Sequence, residues 1–262
     1  MLRTRVITAV VSLLIIGVVV FVLPGQLAEL VIGLVILAGA WEWCGLIGLT
    51  SRASRVGYVA LIAALCAVPY AVAPETASLT LKIAFAWWFA AFLWTLFYPT
   101  PIPLVVRWIC GALLLVPLFV ALVLLYRLGP PYLLFSLVIV WAADAGAYFV
   151  GKSIGRVKLA KNISPGKTWE GAIGGLTVVL LLALVVANWA GVQIAVLLPF
   201  CLAVAALSIV GDLTVSMFKR TAGVKDSGSL FPGHGGVLDR IDSVAAAAPL
   251  FALGLHWLEL VQ

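Results

Sequence analysis

The sequence predicts an all-α integral membrane protein that crosses the bilayer many times. Of its 262 residues, 65% are apolar and 10% are charged, which is too few charges to cover the surface of a water-soluble domain. Apolar runs of about 17 residues or more recur along the chain, and each can cross a hydrocarbon core of about 30 Å as a helix. The runs lack the strict alternation of barrel strands, so helices are expected to satisfy their backbone polar groups within lipid.

About nine transmembrane helices are predicted, separated by short segments rich in Pro, Gly, Ser and Arg. The first apolar run is longer than the core of a signal peptide and no A-x-A-like site follows it, so we expect it to remain as an anchor. Residues 1–130 are expected to hold the first five spans, and residues 131–262 the catalytic region with polar loops 151–170 and 211–243. The predicted spans lie near residues 7–23, 27–47, 56–72, 79–96, 108–126, 132–150, 171–187, 192–210 and 244–261.

The basic residues favour a cytoplasmic N-terminus. Lys and Arg collect in cytoplasmic loops close to the spans. With nine crossings from a cytoplasmic N-terminus, every basic residue except Lys82 and Arg127 lies on the cytoplasmic side, together with both polar loops. The opposite orientation inverts this bias. The net charge of +6 follows from this topology and gives no reason to expect a nucleic-acid partner.

The cysteines argue against a disulfide framework and against a zinc site. They lie singly in apolar spans and form no C-x-x-C pair. We interpret them as small packing residues, at positions Cys44, Cys66, Cys110 and Cys201.

The first polar loop, residues 151–170, is strongly basic. Binding of anionic headgroups, binding of a polyphosphate and positive-inside topology alone are all open explanations. The PGKT fragment is not a Walker A motif, because Lys161 stands where that motif requires Gly and no strand is predicted before it. Ser164 is instead predicted to cap a helix with Pro165 at its first position, which would direct helix N–H groups and Lys167 at an anion.

Asp144 lies within an otherwise apolar span, just before this loop. An ionisable group inside the membrane is costly and usually faces a cavity or a partner, so we favour a functional role over a buried structural one. Glu29 and Glu42 are weaker candidates, because they lie near span ends or beside tryptophans, where interfacial anchoring is a sufficient explanation.

The second polar loop, residues 211–243, carries acids and bases at helical spacing. If the preceding helix continues past residue 210, then Asp212, Ser216 and Lys219 share one face, with Arg220 beside them. After a glycine-rich turn, Asp239 and Asp242 open the next helix at i and i+3.

Two interpretations compete for this pair of aspartates. Acids at a helix N-terminus are stabilised by the helix dipole and can be simple caps. Close to Asp212, several cations and many glycines, they are also typical of hard-oxygen ligands for Mg²⁺ in a phosphate-binding site. Charge neutralisation and alignment are the main requirements of phosphoryl and nucleotidyl transfer.

Two segments resemble the phosphatidate cytidylyltransferase family. Residues 216–242 read SMFKR, four further residues, then KDSGSLFPGHGGVLDRID, which is similar to the signature of that family without a departure. Residues 144–171 contain D-x-x-A-Y-x-x-G-K and ISPGKTWEG, which are similar to its second well-marked region. The resemblance covers the C-terminal half, and the first 130 residues add only span number and hydropathy.

The resemblance implies that CTP and phosphatidate react to give CDP-diacylglycerol and diphosphate. It also implies dependence on Mg²⁺, with room for a second cation of unspecified identity, and a homodimer in the bacterial cytoplasmic membrane with its active site on the cytoplasmic side. Asp144 is expected to complete the metal site or to orient a lysine. The predicted metal ligands are Asp212, Asp239 and Asp242. Residues predicted to act on the phosphates or the rest of the substrates are Lys167, Lys219, Arg220, Lys225, Ser164, Ser216, Asp226, His234, Gly235, Gly236 and Arg240.

Two rival functions fit less well. A transporter for a phosphorylated solute would also need many spans and buried charge, but no paired repeat of interrupted spans is visible and the acids cluster at one face. A CDP-alcohol phosphatidyltransferase would also use clustered aspartates, but its D-G-x-x-A-R element is absent from the sequence.

Overall fold

The computed structural model describes residues 2–71, 75–230 and 235–258. The described residues form nine α-helices and a two-stranded sheet. In chain order the elements are α1 Leu2–Phe21, α2 Gly25–Ile47, α3 Arg52–Ala71, α4 Glu75–Phe97, α5 Leu104–Leu128, α6 Pro130–Ile154, β1 Lys158–Ala160, β2 Ser164–Thr168, α7 Trp169–Ala190, α8 Ile194–Thr221 and α9 Leu238–Trp257.

These elements confirm the predicted all-α polytopic membrane protein. Among the described residues, seven helices, α2 to α8, are long and apolar enough to cross a membrane. The helix α1 contributes a shorter apolar stretch, Val10–Phe21, and α9 is not one of the seven. Nine helices therefore lie where nine spans were predicted, but a count of nine crossings is not confirmed. Residues 72 and 259–261, at the ends of two predicted spans, lie outside the described residues.

Helices α6 and α7 pack with their backbones in close contact at the glycines of α7. A Cβ added to Gly175 would lie 2.5 Å from the carbonyl oxygen of Ala143, and one added to Gly174 would lie 2.5 Å from the side chain of Val150. Small residues at such an interface allow close approach of helices within lipid. This packing fixes the second half of α6, which carries Asp144, against the start of α7.

Helix α9 runs through the centre of the bundle. Its residues from Ala245 to Ala248 are fully buried, and the helix packs against α8, α5 and α4. Its first turn carries Asp239 and Asp242. The central position of α9 therefore places two carboxylates beside the last turns of α8.

The predicted helix start at Ser164 is wrong. Residues 164–168 form β2, which pairs in antiparallel fashion with β1, with Lys158 opposite Thr168 and Ala160 opposite Ser164. Pro165 is tolerated there because a two-stranded sheet offers edge positions where a missing N–H costs little. The N-cap of α7 is Thr168, whose side chain accepts a hydrogen bond from the N–H of Gly171 at 3.2 Å. The hairpin of β1 and β2 thus occupies most of the predicted loop 151–170.

Candidate active site

The end of α8 presents a polar face, as the helical spacing predicted. The hydroxyl of Ser216 donates to Oδ1 of Asp212 at 3.1 Å, one helical turn away. Lys219 follows within the next turn, and its residue is only 7% exposed. A buried ammonium group requires a partner, because the loss of hydration is costly unless opposite charge and hydrogen bonds replace the water.

The partners of Lys219 come from the first turn of α9. Its Nζ lies 2.6 Å from Oδ1 of Asp239 and 3.9 Å from Oδ2 of Asp242. The predicted placement of both aspartates on one face of α9 is therefore confirmed. One lysine on α8 joins two carboxylates on α9, and this cluster fixes the end of α8 relative to the start of α9.

Asp239 also holds the backbone of the glycine-rich segment, which we define by its described residues, 223–230 and 235–237. Its Oδ2 accepts hydrogen bonds from the N–H groups of Ser227 and Gly236, each at 2.9 Å. Gly235 has a φ of 81°, a conformation that favours glycine because it has no Cβ. Both oxygens of Asp239 are thus engaged, one with Lys219 and one with two amides.

A second lysine–aspartate pair connects the hairpin to α8. Nζ of Lys167, in β2, lies 2.5 Å from Oδ2 of Asp212. The two side chains line a cavity of about 490 Å³ together with Asp144 of α6, Tyr148 and Lys152. The cavity lies among α6, the hairpin, α7 and α8. It therefore brings polar groups from the first predicted region next to Asp212 from the second.

Asp212 lies close enough to two other aspartates to repel their negative charges. Its negative charge acts on Asp144 and on Asp242. In the described part of the chain, no three His, Cys, Asp or Glu residues are arranged as a ready metal cluster. The chemistry of the three carboxylates nevertheless fits a hard divalent cation, because such ions take oxygen ligands and retain several waters.

The arrangement can bind a polyphosphate and neutralise its charge. Two lysines, one from β2 and one from α8, pair with carboxylates at the end of α8 and the start of α9, and the glycine-rich segment is bonded to one of these carboxylates. Residues 3–258 match the cytidylyltransferase family. The chain belongs to that family.

Two curated relatives cover nearly the whole chain, and a third covers about half of it. A phosphatidate cytidylyltransferase of Pseudomonas aeruginosa is 45% identical over 266 residues, which is 98% of this chain and 97% of the relative. One of Haemophilus influenzae is 37% identical over 285 residues, covering 96% of this chain and 98% of the relative. One of Bacillus subtilis is 45% identical over 123 residues, or 46% of each chain. Family membership confirms the resemblance and the predicted enzyme class, a nucleotidyltransferase.

Several other predicted site residues of this cytidylyltransferase lie further from the carboxylates. Nε of Arg220 donates to the carbonyl oxygen of Ile163 at 3.1 Å, and Nη1 donates to that of Val224 at 3.2 Å, so the guanidinium holds the hairpin turn and the start of the glycine-rich segment. Lys225, Asp226 and Arg240 are exposed, and Ser164 is half-buried in β2. His234 lies outside the described residues.

The prediction missed Glu42, and its interpretation as an interfacial anchor is wrong. Glu42 of α2 accepts hydrogen bonds from the hydroxyl of Ser227 at 2.8 Å and from the N–H groups of Val237 and Leu238, each at 2.9 Å. These groups belong to the glycine-rich segment and the start of α9. The signal was an acid inside an apolar helix, and the error was to let the neighbouring tryptophans account for it. Glu29 pairs with Arg127, with Oε1 2.6 Å from Nε.

Proposed function

We propose that this protein is a phosphatidate cytidylyltransferase, which converts CTP and phosphatidate to CDP-diacylglycerol and diphosphate. The observation that carries the proposal is the convergence of Lys167–Asp212 and Lys219–Asp239–Asp242 at the loop ends of α8 and α9. Such a site suits the transfer of a nucleotidyl group at the edge of a membrane, where a lipid phosphate meets a soluble nucleotide. The full-length relatives carry the same enzyme name, which supports the choice of substrates.

In the proposed reaction, an oxygen of the phosphatidate phosphate attacks the α-phosphorus of CTP in line. A new O–P bond forms, and the bond between the α-phosphorus and the bridging oxygen breaks, so diphosphate leaves with that electron pair. A general base is not required, because a phosphate monoester has a second pKa of about 6 and is already a dianion at neutral pH. The residues therefore act by alignment and charge neutralisation.

We assign the lipid phosphate to the cavity beside Lys167. The cavity is lined by α6, α7 and α8, and these three are among the helices that can cross a membrane. A lipid can approach it from the bilayer without leaving that phase. Lys167 then neutralises the lipid phosphate, and Asp212 positions the lysine before the substrate arrives.

We assign the triphosphate of CTP to Lys219 and the glycine-rich segment. The glycines of this segment and the nearby lysine together suit a polyphosphate, because a cation stabilises phosphate oxygens and residues without a Cβ let a phosphate approach the backbone closely. Lys225 and His234 are proposed to contact the same phosphates. Asp239 holds Lys219 and the segment next to each other, because it binds both.

The proposed metal is Mg²⁺. Asp212 and Asp242 would hold it, with Asp144 as the third nearby carboxylate. The partners of Asp212 are the side chains of Ser216 and Lys167, which can turn away, whereas Asp239 also accepts hydrogen bonds from two backbone N–H groups. Bound there, the ion would supply a positive charge that stabilises the transferring phosphoryl group. The lysines that now neutralise the carboxylates would turn to the substrate phosphates.

We further propose that the site faces the cytoplasm in the bacterial inner membrane, with the N-terminus on the same side. The positive-inside distribution of Lys and Arg supports this orientation, and the relatives are bacterial. CTP is a cytoplasmic solute, which agrees with it. A homodimer is proposed on the resemblance alone.

The proposal is tested by diphosphate release from purified protein in detergent given CTP, Mg²⁺ and phosphatidate, with each component omitted in turn. Release is expected only with all three, and is expected to fall to background in Asp212→Asn. The matched control is Glu29→Gln, which removes an acid far from the site and is expected to retain activity. If folded wild-type protein releases no diphosphate under these conditions, the proposal is wrong, and transport of phosphorylated solutes becomes the function to test.

A further inference from the structure

Glu42 joins the N-terminal helices to the glycine-rich segment from both of its ends. Oε2 accepts from the hydroxyl of Ser227, at 2.8 Å, and from the N–H of Leu238, at 2.9 Å, while Oε1 accepts from the N–H of Val237 at 2.9 Å. Ser227 lies early in the segment, and Val237 ends it. One carboxylate on α2 therefore binds both described parts of the segment, 223–230 and 235–237.

Two glycines of the segment leave the space that the same carboxylate occupies. A Cβ added to Gly228 or to Gly236 would collide with the carboxylate of Glu42. Because glycine is needed at both positions for the acid to enter, the fit is between Glu42 and the loop backbone rather than between Glu42 and one side chain.

Glu42 and Asp239 accept hydrogen bonds from the same part of the chain. Asp239 accepts from the N–H of Ser227 and from the N–H of Gly236, while Glu42 accepts from the hydroxyl of Ser227 and from the next two N–H groups. The two acids thus engage five donors between them, and Asp239 in addition holds Lys219. Loss of Glu42 would leave Asp239 to hold residues 227 and 236, with Arg220 bonded only to the start of the segment at Val224.

We infer that Glu42 is a positioning residue that holds the glycine-rich segment in the shape that binds the nucleotide phosphates. This inference rests on the proposed function. Glu42 has no contact with the reacting groups, so its effect passes through the loop and Lys219. The cavity beside Lys167 does not include Glu42 in its lining, so the effect should be confined to one of the two substrates.

The first test is steady-state kinetics of Glu42→Gln, with CTP and phosphatidate varied separately. The amide keeps the size of the side chain but turns an NH₂ group toward one of the donors. Since a hydrogen bond to a charged group contributes enough to change affinity by about tenfold, we expect KM for CTP to rise about tenfold. KM for phosphatidate should change less than about twofold, and kcat should change less than KM for CTP. Equal changes for both substrates, or no change, would overturn the inference.

Two further variants separate positioning from general loss of folding. Ser227→Ala removes one of the three bonds, keeps the charge of Glu42 and is expected to show a smaller change of the same kind. Glu29→Gln removes an acid from the same helix whose partner is Arg127, and it is expected to match the wild type. If Glu42→Gln does not fold, Ser227→Ala alone decides, and unchanged KM for CTP in that variant contradicts the inference.

A second measurement does not depend on activity. Lys225 lies exposed within the segment, so tryptic cleavage after it reports how often the loop leaves its closed shape. Cleavage in Glu42→Gln is expected to be about tenfold faster than in the wild type or Glu29→Gln, at the same unfolding temperature. Failure of the proposed function would remove diphosphate release from the wild type but leave this difference in cleavage. Equal cleavage in all three proteins would refute the positioning role itself.

Discussion

Gly211 of α8 lies directly against the backbone of Asp242 on α9. A Cβ added at Gly211 would lie 2.5 Å from the carbonyl oxygen of Asp242 and 2.9 Å from Cβ of Ala246. The neighbour of this glycine in sequence is Asp212, so two of the candidate metal ligands lie at a close backbone contact between the two helices. The spacing of the carboxylates therefore depends on a residue that has no side chain.

Replacing Gly211 with Ala is expected to separate α8 from α9 and displace Asp212 from Asp242. Overpacking of this kind costs about 1–3 kcal/mol, so thermal unfolding in detergent should begin at a lower temperature and diphosphate release should fall more than tenfold. Gly57→Ala in α3 is the control, because a Cβ there meets nothing within 4 Å. An active, fully stable Gly211→Ala protein would show that the helices can separate without affecting the site.

Removing the cation at Lys167 is expected to abolish most of the activity while the protein remains folded. Lys167→Ala leaves Asp212 without its 2.5 Å partner and removes a charge proposed for the lipid phosphate, and loss of one such group typically reduces turnover about 10²-fold or more. Lys161→Ala, in the turn of the same hairpin, should retain activity within a few-fold. Equal activities of the two variants, measured as diphosphate release, would contradict the assignment of Lys167.

Replacing Lys219 with Met tests whether its role is structural, catalytic or both. The substitution leaves Asp239 and Asp242 without a buried counter-charge, which is expected to cost about 3–5 kcal/mol of stability. Adding Asp239→Asn removes one uncompensated charge, so the double variant should recover stability but not diphosphate release.

The comparison of the single and double variants decides the outcome for Lys219. Thermal unfolding and activity are measured on the same preparations. Recovery of both properties in the double variant would show that Lys219 serves only to neutralise Asp239. Recovery of neither would show that the two side chains are not coupled in the way that their 2.6 Å separation indicates.

Replacing Thr168 with Ala is expected to weaken the start of α7. Loss of an N-cap hydrogen bond costs about 1 kcal/mol, and the cap here joins the hairpin that carries Lys167 to the helix that follows it. Thr168→Ser keeps the hydroxyl and should behave as the wild type in thermal unfolding. An Ala variant as stable as the Ser variant would show that the side-chain bond to Gly171 contributes nothing.

Local spacing was enough to predict the parts of the site that lie on single helices. Asp212, Ser216 and Lys219 follow helical periodicity in α8, and Asp239 and Asp242 follow it in α9, so each face could be read from the sequence. The contact between the two faces was not readable from periodicity. It depends on the packing of α9 in the centre of the bundle, which involves helices from the whole chain.

The two errors have different physical causes. At Ser164 and Pro165, local preference fits a helix start, but pairing with residues 158–160 fixes the segment as a strand and shifts the cap to Thr168. At Glu42, the acid sits beside two tryptophans that suit an interfacial position, while its true partners are backbone N–H groups at the other end of the chain. Such partners leave no pattern in the sequence around either group.

The helix α8 has a further consequence through its length. It contains 28 residues, which at 1.5 Å per residue is about 42 Å, whereas the hydrocarbon core is about 30 Å thick. If the core begins at Ile194, about 20 residues of α8 cross it, so Asp212 lies at its far edge and Ser216 and Lys219 lie in the surplus beyond it. The length of the helix then places the reacting groups at a fixed level, at the edge of the acyl chains. At that height a phosphate attached directly to glycerol arrives in place by lateral diffusion alone, and only the nucleotide has to find the site from solution.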